Sequence, residues 1–126
     1  MRAKCVEELL VYQKALAAAH AVSAILTRPC FDKDRRLRDQ ISSSSERAVS
    51  VIPEGFSQST DRHFASYLYR SRGSSNKIRT QFRVAVKRGY MTLAEAKDLS
   101  DLYEEIAKML TGLIAHLKRE DRTNRP

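Results

Sequence analysis

The sequence predicts an all-α protein folded as an antiparallel, up-down four-helix bundle. Its 126 residues include only 4 Gly and 3 Pro, which favours few turns and long elements. Four segments repeat apolar residues at helical spacing, and no segment alternates polar and apolar residues as a half-buried strand does. Amphipathic helices with short connections bury their apolar faces against one another, so a single bundled domain is expected.

The first two predicted helices span about residues 6–27 and 34–52. The first ends before Pro29, because proline disfavours helical geometry in the residue that precedes it. The second has small residues in the middle of its apolar stripe, at Ser42–Ser45, which we interpret as a seam of close helix packing. Pro53 and Gly55 predict that this helix breaks or kinks near its end.

The last two predicted helices span about residues 61–88 and 93–118, and residues 119–126 form a flexible polar tail. A residue of "STD" (59–61) can cap the third helix, and Gly89 can end it. The fourth helix begins at "TLAE", a capping box in which Thr92 and Glu95 each accept a hydrogen bond from the other's backbone.

The net charge of +8 is concentrated in one segment. Between Arg62 and Ala94 there are eight Lys or Arg and no Asp or Glu, while acids and bases cancel in the rest of the chain. Such a segment lacks the usual Glu–Lys support along a helix and favours a polyanionic partner. Seven of its residues are candidate nucleic-acid-binding residues: Arg70, Lys77 and Arg88 on one edge of the third helix, Arg72, Arg79 and Arg83 on the other, and Lys87.

Three readings of this charge stay open: nucleic acid, an acidic protein surface, or no specific partner. The chain has no zinc-finger spacing, RNA-recognition-motif signature or clear helix-turn-helix. Nucleic-acid binding would therefore depend on phosphates and shape more than on sequence.

No residue pattern indicates catalysis, a metal or a cofactor. Ser42–Ser45 lie in neither a G-x-S-x-G nor an S-x-x-K motif. The three histidines fall on three different predicted helices, and Cys5 and Cys30 are not spaced as metal ligands. We expect a non-enzymatic protein with reduced thiols and no cofactor.

The sequence also predicts a cytoplasmic protein. It lacks the order of charged, apolar and cleavable residues that marks a secretory signal. Its most apolar run, residues 15–26, is shorter than the ~20 residues needed to cross a bilayer.

Several short motifs carry a resemblance. They are "LLVYQKA" (9–15), "QI" (40–41), "IPEGF" (52–56), "GS" and "TQF" (73–74 and 80–82), "RGYMT" (88–92) and "IAKMLTGLIAHLK" (106–118). In order and spacing, over about residues 6–118, these resemble the four-helix-bundle family of 23S rRNA intervening-sequence proteins. That family includes the accessory variability determinants of diversity-generating retroelements.

The resemblance implies a homopentameric barrel of four-helix bundles. For the accessory members it implies binding to a reverse transcriptase and to nucleic acid, in support of mutagenic copying of a template RNA. It carries over no catalytic residues. Where family members often have glutamates after "GS", this chain has Asn76, Lys77 and Arg79, which favours the accessory branch.

The expected function is that of a basic, oligomeric, nucleic-acid-binding accessory protein, partner of a retroelement reverse transcriptase acting on template RNA or cDNA. The alternative is an intervening-sequence-type structural oligomer, or an interaction module that docks an acidic partner.

Overall fold

The computed structural model describes residues 5–6 and 9–123, with side chains as far as residue 121. Within these ranges the chain forms four α-helices and a short 3₁₀ turn, with no strand. The helices are α1 (Leu10–Leu26), α2 (Arg35–Phe56), α3 (Asp61–Lys87) and α4 (Leu93–Thr123), and the turn is Pro29–Lys33.

Neighbouring helices run antiparallel and close a four-membered ring. Lys14 of α1 pairs with Glu105 of α4 at 2.7 Å, and Arg28, just past α1, pairs with Glu95 near the start of α4. The chain directions of these two helices are therefore opposite. Both α1 and α3 pack against α2 and α4, which places the helices in the order predicted for an up-down bundle.

The core lies along the axis of this ring. Tyr103 of α4 is fully buried, with its hydroxyl 3.4 Å from Ser45 Oγ of α2, and burial raises the pKa of this phenol. Its ring packs at a tilt against Phe82 of α3, with 6.0 Å between centroids. Other large, fully buried side chains come from α2, α3, α4 and the 3₁₀ turn: Phe31, Ile41, Ile52, Phe64, Leu68, Ile78, Ile106 and Leu110.

The first helix starts later than predicted. Leu9 has extended backbone (φ −72°, ψ 117°), so the helix begins at Leu10 and not near residue 6. The predicted first-turn positions 7 and 8 lie outside the described residues.

The second helix does not break at Pro53, and its predicted end at residue 52 is wrong. α2 runs through Pro53 to Phe56, although proline removes the N–H that would bond to the carbonyl of Val49. Burial of Ile52 and Gly55 against the core offsets that loss. Gly55 is not a turn residue: a Cβ added there would lie 2.6 Å from the Tyr67 Cβ, so glycine permits close approach of α2 and α3.

The predicted ends of α3 and the predicted start of α4 are confirmed. Thr60 Oγ1 accepts from the backbone of His63 at 3.1 Å, and Gly89 follows α3 with φ 81°. In the capping box, Glu95 N donates to Thr92 Oγ1 at 3.1 Å and Thr92 N donates to Glu95 Oε1 at 2.9 Å.

The fourth helix continues to Thr123, past its predicted end at residue 118. Arg119, Glu120 and Arg122 in this stretch are strong helix formers, so the helix persists without an apolar face. Residues 124–126 of the predicted tail lie outside the described residues. In the described part of the chain, no helix combines the length and apolarity needed to cross a membrane.

Candidate nucleic-acid interface

The structure separates the seven candidate basic residues into three environments. Arg70 and Lys77 face α2, whereas Arg72 and Arg79 face α4. Arg88 lies at the end of the bundle against Asp34. Arg83 and Lys87 are exposed, and neither forms an ion pair with a described residue.

The row that faces α4 is already engaged within the chain. Arg79 lies 3.7 Å from the carboxylate of Glu104, and Arg72 donates to Thr111 Oγ1 at 3.1 Å. The Arg72 guanidinium also stacks on the Tyr69 ring, 4.8 Å from its centroid. The lack of acids in the α3 segment suggested that its cations have no ion-pair partner. For Arg79 this is wrong, because Glu104 of α4 supplies the acid.

Arg88 is also paired, and it stabilises the end of the bundle. Its Nη1 lies 2.6 Å from Asp34 Oδ2, which also accepts from the Tyr90 hydroxyl at 3.0 Å. The hydrogen bond from Arg88 is the main cause that lowers the pKa of the Asp34 carboxyl. Because Asp34 neutralises its charge, Arg88 stabilises the fold and is not available as a free cation.

Arg28 forms a second ion pair at the same end of the bundle. It donates to the Glu95 carboxylate through both terminal nitrogens, and to the carbonyl of Tyr90 at 3.3 Å. The bond from Arg28, helped by the backbone of Thr92, lowers the pKa of Glu95 to about 2. These contacts of Arg28 connect the end of α1 to the start of α4.

The row that faces α2 lines an open groove of about 850 Å³ between α2 and α3. We call this the α2–α3 groove. Its walls are basic and its floor is made of small polar residues. The α2 wall contributes Ser43, Ser44, Arg47, Ser50, Val51 and Glu54, and the α3 wall contributes Arg70, Gly73, Ser74 and Lys77.

A second hollow of about 470 Å³ continues the groove towards the start of α2. The two share Ser43, Ser44 and Lys77, so they form one channel. The continuation adds Arg36, Asp39, Gln40 and Gln81.

Cations outnumber acids in this channel. Arg36, Arg47, Arg70 and Lys77 line it, against Asp39 and Glu54. No described carboxylate lies within ion-pair distance of any of these four cations, whereas Arg38 lies 3.6 Å from Asp39 and weakens that negative charge. The α2–α3 groove is thus the larger concentration of available positive charge.

Serines make this groove possible. Ser44 and Ser45 are buried, which confirms the predicted packing seam at these two positions, whereas Ser43 is exposed in the groove. Across the seam, Ser71 Oγ donates to the Ala48 carbonyl at 2.6 Å. Small side chains let the helix backbones come close and leave an open polar floor above them.

Gly73 widens the α3 wall. It is exposed in mid-helix, and a Cβ added there would meet no heavy atom within 4 Å. Packing within the chain therefore does not require glycine at this position. Its effect is to leave backbone uncovered in the groove wall.

Sequence reasoning missed the α2 wall. Arg36, Gln40, Ser43, Arg47 and Ser50 recur at three- and four-residue spacing, which is the signal of a polar helix face. The concentration of net charge in the α3 segment directed attention away from α2, which lies in the part of the chain where acids and bases cancel overall. Only the pairing of α2 with α3 brings Arg47 to the same groove as Lys77.

A family model described as 23S rRNA-intervening sequence protein matches residues 7–112. The chain belongs to this family. The motifs quoted above thus identified the family correctly, while its accessory retroelement branch is not distinguished by this match. No curated protein matches the chain.

One solved structure has a similar fold. It is a protein of unknown function from the S23 ribosomal protein family of Bacteroides thetaiotaomicron. The two are 18% identical, with a TM-score of 0.76 over 83% of this chain and 98% of that one. At this identity the similarity supports the four-helix fold alone.

Proposed function

We propose that this protein is a non-enzymatic, oligomeric nucleic-acid-binding accessory protein, and that the α2–α3 groove is its binding surface. The observation that carries the proposal is four exposed cations over a floor of serines. None of the four cations forms an ion pair with a described residue, although the Arg70 guanidinium stacks on the Tyr67 ring at 4.7 Å. Arginine and lysine contact phosphates, and serine hydroxyls donate to them. The serines and the bare backbone at Gly73 let a strand sit close to the helices.

Binding through this groove is electrostatic and salt-dependent. If Arg36, Arg47, Arg70 and Lys77 each neutralise one phosphate of a single strand, log K falls with log salt at a slope of about −3. A rise from 50 to 200 mM salt then weakens binding by about 50-fold.

Self-association would multiply this charge. The outer side of α1 supports an oligomer, since Lys14 is the only Lys, Arg, Asp or Glu in that helix and Leu10 and Leu16 are exposed. A homopentamer, as the family resemblance implies, would carry five grooves on one particle. In this proposal the particle acts in the cytoplasm and holds template RNA or cDNA for a retroelement reverse transcriptase.

The decisive experiment compares two double charge reversals. One is Arg47→Glu with Lys77→Glu, in the groove, and the other is Arg83→Glu with Lys87→Glu, on α3 but outside it. Both change the net charge equally, and all four side chains are exposed. The measurement is the Kd for a single-stranded RNA, by fluorescence anisotropy at several salt concentrations.

We expect the groove variant to lose at least tenfold more affinity than the other variant, and the magnitude of its salt slope to fall by about 1.4, about 0.7 for each lost phosphate contact on a single strand. Equal losses in both variants would contradict the assignment to the groove. Salt-insensitive, weak RNA binding by the unaltered protein would contradict nucleic-acid binding altogether. Stable capture of an acidic protein, abolished by the groove variant, would then favour the alternative interaction module.

A further inference from the structure

The side of α3 that faces α4 carries a second basic hollow, of about 510 Å³. It shares no lining residue with the α2–α3 groove, so α3 separates the two. Beside the hollow, Lys118 of α4 donates to the hydroxyl of Tyr69 on α3. We call the hollow and this neighbouring pair the α3–α4 strip; its cations are Arg72, Arg79, Lys108 and Lys118.

Two cations of the strip are held in place by neutral groups. Arg72 donates to Thr111 Oγ1 at 3.1 Å and stacks on the Tyr69 ring, and Thr111 passes its own proton to the Ala107 carbonyl at 3.0 Å. The Nζ atom of Lys118 lies 4.9 Å from the centroid of the same ring. No described carboxylate lies within ion-pair distance of Arg72 or Lys118. These contacts therefore position two positive charges without neutralising them.

The other two cations share one acid. Glu104 lies 3.7 Å from Arg79 and 3.6 Å from Lys108. Both distances exceed the ~2.7–2.9 Å of a charge-assisted hydrogen bond, so neither cation is tightly held. Among the described residues that line the hollow, Glu104 is the only acid, against the cations Arg72, Arg79 and Lys108. The hollow thus keeps an excess of positive charge, to which Lys118 adds.

We propose that the α3–α4 strip binds a second single strand of nucleic acid through its phosphates, so that one chain holds two strands on opposite sides of α3. This rests on the proposed function, which puts the first strand in the α2–α3 groove. Arginine and lysine contact phosphates, and the exposed amide of Asn76 can donate to one. Because Glu104 offsets part of the charge, the strip is the weaker of the two sites.

The width of α3 permits both strands to bind together. A helix with its side chains is about 10–12 Å across, while the Debye length at 0.1 M salt is about 10 Å. The two strands therefore repel each other only weakly at this salt concentration.

The test counts the strands bound by each chain. Tyr69 and Arg79 lie about 15 Å apart along α3, the length of four to five stacked nucleotides at about 3.4 Å each, so a labelled hexanucleotide of uridine covers the strip. It is titrated at 100 mM salt, with both components well above the Kd of either site, and fluorescence anisotropy gives the number bound at saturation. The unaltered protein is compared with three double variants: Arg72→Glu with Lys118→Glu in the strip, Arg47→Glu with Lys77→Glu in the groove, and Arg83→Glu with Lys87→Glu outside both.

We expect two strands per chain for the unaltered protein and for the variant outside both sites, and one strand per chain for the strip and groove variants. The strand that the strip variant keeps should bind about tenfold or more tightly than the strand that the groove variant keeps. Arg72→Gln with Lys118→Gln removes the charges but keeps hydrogen-bonding side chains, and it should also bind one strand. Circular dichroism checks that all variants fold.

One strand per chain in the unaltered protein, or two strands in both strip variants, would overturn the inference. Either result leaves the proposed function standing if the groove variant loses a strand. Two strands in the groove variant, with one in the strip variants, would contradict the groove and support the strip. Failure of the unaltered protein to bind any strand overturns the proposed function and this inference together.

Discussion

Replacing Gly55 by alanine tests the close approach of α2 and α3. The added Cβ would lie 2.6 Å from the Tyr67 Cβ, 3.0 Å from a ring carbon of Phe64 and 3.3 Å from the Phe64 carbonyl oxygen. Carbon atoms normally meet at about 3.5–4.0 Å, so the closest contact is about 1 Å too short. A Cβ and a carbonyl are fixed to the backbone, so neither rotates away and the helices themselves must shift.

Two opposing terms set the size of the effect. Overpacking of a core costs about 1–3 kcal/mol, while alanine in a helix interior gains about 0.5–1 kcal/mol over glycine. The net expectation is a loss of about 1–2 kcal/mol in the free energy of unfolding. Gly73→Ala is the matched control, because it has the same helical gain and meets nothing within 4 Å. It should stabilise the protein by about 0.5–1 kcal/mol.

The assay is urea unfolding followed by helical circular dichroism, at one fixed protein concentration because oligomers gain stability by mass action. We expect the two variants to shift the free energy of unfolding in opposite directions. If Gly55→Ala is as stable as the unaltered protein, the close approach of the two helices at this point is refuted. A loss of stability in Gly73→Ala would show that the groove wall is packed rather than open.

Three further predictions concern the caps and the core. Gly89→Ala should cost about 1–2 kcal/mol of unfolding free energy, since its φ of 81° is strained for any residue with a Cβ; an unchanged urea midpoint would contradict this. Ser71→Ala removes the bond to the Ala48 carbonyl and should cost about 1 kcal/mol, whereas a gain in stability would show that this bond is not net favourable. The pKa of Glu95 is lowered from 4.5 to about 2 by Arg28, so its stabilisation is complete above pH 4.5 and is lost as the pH falls to about 2. Glu95→Gln should therefore flatten the fall in stability across this range, and an equally steep fall would assign the acid sensitivity to other carboxyls.

Local signals in the sequence were reliable where the chemistry is local. The capping box of α4 and the glycine that ends α3 depend on backbone groups within three or four residues, and both are present as predicted. Pro53 and Gly55 misled because their local preference for a break is opposed by packing against α3, which no window of α2 contains.

The same contrast between local signals and tertiary contacts applies to the candidate site. The sequence of α3 alone shows that this helix is basic. The acids that neutralise Arg79 and Arg88, however, come from α4 and from the start of α2. Charge counting along one segment cannot detect partners that are distant in sequence. It therefore overestimated the free charge of the α4 side and overlooked the α2 wall of the groove.

By itself the sequence determined the helical class, the limits of α3, the start of α4, the family and the basic character of the protein, because periodicity, caps and composition are properties of the chain. Tertiary structure alone decided which cations remain available. It did so by placing Arg47 across from Lys77 and by pairing Arg79 with Glu104 and Arg88 with Asp34, since these relations depend on which helices lie side by side.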